Sequence, residues 1–358
     1  MSICYPYFLV ALIVGTIGLS VPNLHVLDTQ EYIFIRNKYR LSLALISIIV
    51  VMFSAFRMIS AASIDEYAYR NRFTHYAGMD FASVIRESTE PVFSGIVWLS
   101  TKIFSTNQGI IIITGSLTVL LLLGAIKKYS SDYSFACVVL FVSGVMYTTF
   151  NGIQQYLAAA IMIFAFDAAY NKKLRKFLVI VFLCSLIHNS SVFLLLFYLL
   201  ANEETGSKKM WMYNVAFLIA GLFFYRAVPS IAENYGVLAE YVDKLTVGHH
   251  GVQNITILIN LVPAFLAVIC RKGIGDDRVT SAFANITILH AMIYMLASID
   301  VYIARLAIFT APFTVIFLSR IMRYIKDAMI VKLLAIVLYA MVCYLQLRGI
   351  VYTFNFVL

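Results

Sequence analysis

Apolar runs of membrane-spanning length, parted by short basic joints, occupy almost the whole of this chain, and no other feature restricts its fold as much. From Gly109 to Ile126 there is no ionisable side chain at all. Similar runs recur at 3–21, 41–56, 134–150, 153–170, 176–188, 190–201, 210–227, 254–270, 281–299, 301–319 and 328–347. A helix needs roughly 20 apolar residues to cross a hydrocarbon core, so the expected fold is an all-α polytopic integral membrane protein of about 12 transmembrane helices. The segment from Val92 to Phe104 is short and polar for a span, and is expected as a re-entrant or interfacial helix. With 62% hydrophobic and 13% charged residues in 358, the chain has too little polar surface for a soluble body, and a single membrane domain, 1–358, accounts for all of it.

The net charge of +9 follows topology and not nucleic-acid binding, because the basic residues gather in alternate joints. These are Arg36/Lys38/Arg40, Lys127/Lys128, Lys172/Lys173/Arg175/Lys176, Lys208/Lys209, Arg271/Lys272/Arg278 and Arg320/Arg323/Lys326. By the positive-inside rule they face the cytoplasm. The other joints then face outward: a polar, aromatic-rich loop over 57–108, Asn151–Gly152, His188–Ser191, a second loop over 228–253, and Ser298–Asp300. Both chain ends fall on that side too, and the run Cys4–Val21 reads as a retained first helix. The five cysteines stand singly in apolar runs, with no metal-like spacing, and His249-His250 lacks a further ligand nearby. No metal and no cofactor is expected.

The polar residues that are not topology markers all fall at the expected outer face, and ionisable groups at membrane depth are costly unless paired or hydrated. A shared polar cavity at that face is the economical arrangement. Asn151, Gln154 and Gln155 open a helix at spacing i, i+3, i+4, which puts them on one side of its first turn. They can serve as a cap and as interhelical glue, or they can hold a substrate. His188 sits at a turn between two short apolar runs, either as a satisfied hydrogen-bonding group or as a catalytic base. Arg305 lies one turn past Asp300, suited to pairing with it or to gripping a phosphate in a bidentate way, and Arg57 is the natural second member of such a clamp. Asp65, Glu66 and Glu90 are the carboxylates of interest in the 57–108 loop, while Arg70, Arg72, Asp80, Arg86 and Glu87 read as solvated charges. Tyr67, Tyr69, Phe73 and Tyr76 are either interface anchors or sugar-holding rings.

Taken in order, Arg57, Asp65-xxx-Tyr69-xxx-Phe73, Glu90-Pro91-Val92-Phe93, Asn151-xx-Gln154-Gln155-x-Leu157-Ala158, Ile187-His188-Asn189-Ser190 and a late membrane arginine, Arg305, resemble the EpsG-like family of Wzy-type bacterial polysaccharide polymerases. Two departures stand out: Met58–Ile64 is longer than the family's spacer and lacks glycine, and Gln154 stands where the family usually has arginine. The resemblance implies a glycosyltransferase of the bacterial cytoplasmic (inner) membrane, its active site on the outer or periplasmic side, acting in O-antigen, capsule or exopolysaccharide synthesis. Donor and acceptor would both be oligosaccharide repeat units on undecaprenyl diphosphate, the lipid diphosphate leaving. Asp65, Glu90 and His188 are then the candidate bases, and Arg57, Arg305, Tyr69, Asn151, Gln154, Gln155 and Asp300 the candidate substrate and diphosphate contacts. The partners it implies are the two lipid-linked substrates, membrane lipids, a chain-length regulator and a flippase, with no nucleic acid. Another membrane glycosyltransferase or an O-antigen ligase stays open, as does a transporter or flippase for lipid-linked glycan; the crowding of polar groups at one face argues against the last.

Overall fold

The computed structural model describes residues 2–21, 31–59, 64–235, 251–350 and 352–354. Among them the elements are helical apart from one antiparallel pair of short strands, β1 (Arg57–Ile59) and β2 (Tyr352–Phe354), which join in register Arg57 to Phe354. The helices are α1 (Cys4–Gly18), α2 (Glu31–Ala55), α3 (Ile64–Tyr76), α4 (Phe81–Glu87), α5 (Pro91–Ile103), α6 (Gln108–Tyr129), α7 (Tyr133–Val142), α8 (Val145–Thr148) and α9 (Ile153–Phe164). They continue as α10 (Asp167–Tyr170), α11 (Leu174–Ser185), α12 (Leu195–Ala201), α13 (Lys208–Tyr235), α14 (Asn254–Ile269), α15 (Arg271–Ile274), α16 (Arg278–Leu296), α17 (Ala307–Ile321) and α18 (Ala328–Leu347). Two 3-10 segments, Asn189–Leu194 and Val301–Leu306, lead into α12 and α17.

Five helical stretches among the described residues are long and apolar enough to cross a membrane: Gln108–Tyr129, Lys208–Ala227, Arg278–Leu296, Val301–Tyr324 and Ala328–Leu347. The other apolar segments form shorter helices, several of them because an expected single helix is broken. The run 134–150 splits into α7 and α8 at Gly144, whose φ of +80° is a left-handed conformation that a side chain resists. The run 153–170 divides into α9 and α10, and 301–319 begins as a 3-10 turn before α17. The polar stretch 57–108, expected as a loop, carries three helices. Asp80 caps α4 by accepting from the Ser83 N–H (3.0 Å), and Pro91, whose missing N–H costs nothing at a helix start, opens α5. The expected interfacial segment Val92–Phe104 falls within α5, which packs on α3, α4 and α6.

Packing is close where small residues face one another, as suits helices that gain no hydrophobic drive from lipid. Helix α1 lies on α7 so tightly that a Cβ added at Gly15 would come within 2.5 Å of the Val138 side chain. Helix α16 forms the centre, in contact with α12, α13, α14 and α17, while α18 stands at the edge against α7 and α14.

The polar joints sort into two ends. At one, Lys128 pairs with Asp167 (2.8 Å), Lys332 with Asp132 (2.6 Å) and Arg320 with Asp277 (3.0 Å), and Arg320 also donates to the Tyr129 carbonyl (2.7 Å). Thr205 bonds Ser281 there as well, so the joints around 128–132, 167–176, 205–208, 271–281 and 320–332 meet. At the other end Arg57 reaches the Phe150 carbonyl, Gln108 the Ala55 carbonyl, and Glu90 meets Gln154 and His188. Five of the six basic joints thus meet at one end of the bundle among the described residues.

Candidate active site

Glu90 lies at the entrance to α5, where the following proline fixes the chain direction and its side chain turns inward, 9% exposed. Its Oε2 accepts from Gln154 Nε2 (2.6 Å), and its Oε1 accepts from His188 Nδ1 (2.7 Å) and from the Asn189 N–H (3.2 Å). Arg72 Nη1 stands 3.9 Å from Oε2. Burial pushes the Glu90 carboxyl upward, but the hydrogen bonds of His188, Gln154 and Asn189 outweigh it and hold the group below the usual glutamate range. A carboxylate only accepts, so the proton of this contact sits on His188 Nδ1, and a neutral ring so held would carry its lone pair on Nε2. This is the arrangement in which a carboxylate orients an imidazole as a base.

Each partner arrives for a local reason. Gln154 is in the first turn of α9 and also donates to the Ile187 carbonyl (3.2 Å), pinning α9 to the end of the α11 segment. His188 is extended (φ −153°) just before the 3-10 turn Asn189–Leu194. Gln155, the next residue of α9, points another way: its amide is 3.5 Å from Ser190 Oγ, and it lines a cavity of about 450 Å³. Asn151, Tyr302 and Arg305 line that cavity too, beside Gly152, where an added Cβ would meet Ile308 at 2.9 Å. The Arg305 guanidinium lies 5.2 Å from the Tyr302 ring centroid. Glu90 and His188 do not themselves line the cavity; they connect to it through Gln154 and Gln155, which are consecutive in α9.

The remaining expected residues are placed differently. Arg57 is 1% exposed, donates to the Ser54 carbonyl (2.5 Å) and the Phe150 carbonyl (3.2 Å), sits 4.4 Å over the Phe150 ring and lies 3.6 Å from Glu66 Oε2. It is not among the residues lining the cavity that holds Arg305, so the expected two-arginine clamp is not assembled here. Asp300 is buried and accepts from the Tyr302 N–H (2.7 Å), capping the turn that carries Arg305. Tyr69 is buried with its ring edge-on to Phe93 at 5.5 Å, part of the packing between α3 and α5. Asp65 is in α3, but its side chain lies outside the described residues, as does the pair His249-His250.

Two groupings escape a reading of the sequence. Arg70, taken for a solvated charge, grips Glu66 Oε1 through Nε (3.0 Å) and Nη2 (2.7 Å) and reaches Asn107 and Gln108. Glu66 thereby lies between two arginines, and its i, i+4 spacing to Arg70 was the available signal. Inside the cavity wall, His290 contacts Thr310 Oγ1 (2.7 Å) and Asn260 Oδ1 (3.0 Å), tying α16 to α17 and α14. Here the signal was a histidine and an asparagine deep in apolar runs.

No curated protein and no solved structure matches the chain significantly. The sequence model of the EpsG family, in contrast, matches residues 40–356, nearly the whole length and every group described above. Its span-length apolar helices make the chain a multi-pass membrane protein, and by this match it belongs to the EpsG family.

Proposed function

We propose that the protein is a surface-polysaccharide polymerase that joins lipid-linked oligosaccharide repeat units at the outer leaflet of the bacterial cytoplasmic membrane. The family points to polysaccharide synthesis. The observation that carries the reading further is the Glu90–His188 pair beside an arginine-lined cavity. In the proposed step the acceptor hydroxyl gives its proton to His188 Nε2 as its oxygen bonds the anomeric carbon of the donor. The bond from that carbon to the diphosphate breaks, and the lipid diphosphate departs with the electron pair, its charge met by Arg305. General-base assistance of this kind is worth about 10²–10⁴-fold, and a preplaced guanidinium stabilises the leaving charge without reorganisation. Asn151 and Gln155, which line the same cavity, would supply amide contacts to the bound glycan. The basic end of the bundle would face the cytoplasm.

The test is the surface glycan of cells lacking the gene, resolved by gel and mass. A polymerase only joins units, so its loss leaves lipid bearing one complete repeat unit and removes the ladder of longer chains. Arg305→Ala and His188→Ala should give the same pattern with normal amounts of protein in the membrane. Full-length ladders built of lighter units would instead identify a side-branch transferase, and complete loss of even the single unit would identify a ligase.

A further inference from the structure

The basic joint between α10 and α11 holds more charge than its neighbours answer. Lys128 comes to it through Asp167 (2.8 Å) and Lys176 stands 3.6 Å from the same carboxylate, so Lys128, Lys172, Lys173, Arg175 and Lys176 gather at a joint with one acid. Lys172, Lys173 and Arg175 are exposed, and their side chains have no hydrogen bond or ion pair among the described residues. Lys332 and Arg320, at the same end of the bundle, are instead each matched by an acid. The joint also has a fixed form. The Lys173 N–H donates to the Ala168 carbonyl (2.9 Å) and the Lys172 N–H to the Ala169 carbonyl (3.0 Å), which Asn202 Nδ2 also reaches (3.0 Å). Those two backbone bonds are the pattern that ends a helix on a left-handed residue, a position glycine usually takes. Here Lys172 takes it at φ +58°, the one non-glycine residue with positive φ among the described residues. A side chain resists that conformation, and backbone held in it tends to sit at functional sites.

Topology alone asks for basic residues near this end, but for neither the strained lysine nor the apolar ridge beside it. Along α11, Leu174, Leu178, Val179, Phe182 and Leu183 are between 44% and 61% exposed, while Phe177, Val181 and Cys184 pack inward. From Leu174 to Leu183 the ridge runs about 14 Å, the depth of one leaflet of a roughly 30 Å hydrocarbon core. Arg175 stands at its foot, one turn before Val179 and two before Leu183. We infer that this joint and ridge form a site for one anionic glycerophospholipid of the bilayer, its headgroup phosphate held by Lys172, Lys173 and Arg175 and its acyl chains lying along α11. A guanidinium and two ammonium groups match a phosphate, and only a ligand with a hydrocarbon part uses the ridge. The site lies at the other end of the bundle from Glu90 and His188, so this lipid is not the one consumed in the proposed transfer.

The test is native mass spectrometry of the full chain released from nanodiscs of phosphatidylcholine mixed with phosphatidylglycerol, together with thermal unfolding in phosphatidylcholine alone. Wild type should retain phosphatidylglycerol in preference to phosphatidylcholine, and excess glycerol 3-phosphate should not displace it. Each cation at a bilayer surface strengthens binding to anionic lipid about fivefold. Lys172→Gly should therefore weaken retention about fivefold, and the triple variant Lys172→Gly, Lys173→Gln, Arg175→Gln about a hundredfold. In phosphatidylcholine Lys172→Gly should unfold no earlier than wild type, because glycine suits that backbone, which separates lost binding from lost fold. The matched variant Lys208→Gln, Lys209→Gln, Arg323→Gln removes three exposed cations from the same end and should retain the lipid as wild type does. Equal retention in wild type and the first triple variant, equal loss in the matched variant, or displacement by glycerol 3-phosphate overturns the site.

Discussion

Glu90 offers a perturbation whose structural and chemical consequences can be told apart. Its carboxylate takes three hydrogen bonds, from Gln154, His188 and the Asn189 N–H, with 9% of the residue exposed. In Glu90→Gln the new carboxamide can still accept from His188, but its NH₂ then faces the NH₂ of Gln154. One buried donor is left without an acceptor, at a cost of about 1–3 kcal/mol. If the carboxylate also keeps His188 basic, turnover should fall by about 10²–10⁴-fold as well, the range for loss of general-base catalysis. The double exchange Glu90→Gln with Gln154→Glu restores a carboxylate facing a carboxamide across the same short contact and should return part of the stability, less the donation to the Ile187 carbonyl that a carboxylate at 154 cannot make. It moves the charge off the His188 side of the pair, and turnover should stay low. Stability would be read from denaturation of the purified protein, turnover from consumption of lipid-linked repeat unit in proteoliposomes. Recovery of turnover together with stability in the double exchange would refute the reasoning and reduce Glu90 to a packing residue, and wild-type turnover in Glu90→Gln would do so more directly.

Three further outcomes are expected. Glu66→Gln removes the carboxylate that lies between Arg57 and Arg70 and should destabilise the protein by about 3–5 kcal/mol, as breaking a buried ion cluster does; Arg57→Met with Glu66→Leu should recover part of that in the same denaturation assay, because the buried apolar pair needs no counter-charge while Arg70 keeps only its contacts to Asn107 and Gln108. Burial alone would raise the Asp277 carboxyl, but the Thr280, Tyr324 and Arg320 contacts pull it down to about 2, so its stabilising contribution is complete above the unfolded value near 4 and lost as pH falls toward 2; Asp277→Asn should flatten that acid limb and cost on the order of 2 kcal/mol at neutral pH. Cysteines placed at the exposed Ser298 and Lys173 should differ toward an impermeant thiol reagent in intact cells, the first labelled and the second not, and the reverse pattern would invert the proposed orientation.

The parts of this molecule that could be read from sequence are those governed by short range or by bulk solvent. Membrane character follows from the apolar runs, the two polar ends follow from alternating basic joints, and the i, i+3, i+4 spacing of Asn151, Gln154 and Gln155 puts them on one turn of α9. Even there the spacing was only half informative: Gln154 turns to Glu90 while Gln155 turns to the cavity, a division made by α5 and the 3-10 turn at Asn189, which arrive from distant segments. The same limit applies to the expected pair of arginines. Arg57 and Arg305 are equally plausible phosphate ligands when viewed one at a time, and only tertiary packing seals Arg57 under Phe150 and leaves Arg305 on a cavity wall. Arg70 was missed for a local reason, since its i, i+4 relation to Glu66 has meaning only if 64–76 is helical, and a stretch so rich in charge reads as a loop until α5 and α6 are there to cover it. Asn260, His290 and Thr314 sit in runs whose mean hydropathy drowns them, although a polar side chain at membrane depth is itself the unusual observation. His290 shows what such a residue does for the fold: with both ring nitrogens answered by Thr310 and Asn260, it ties α16 to α17 and α14 from within the apolar runs.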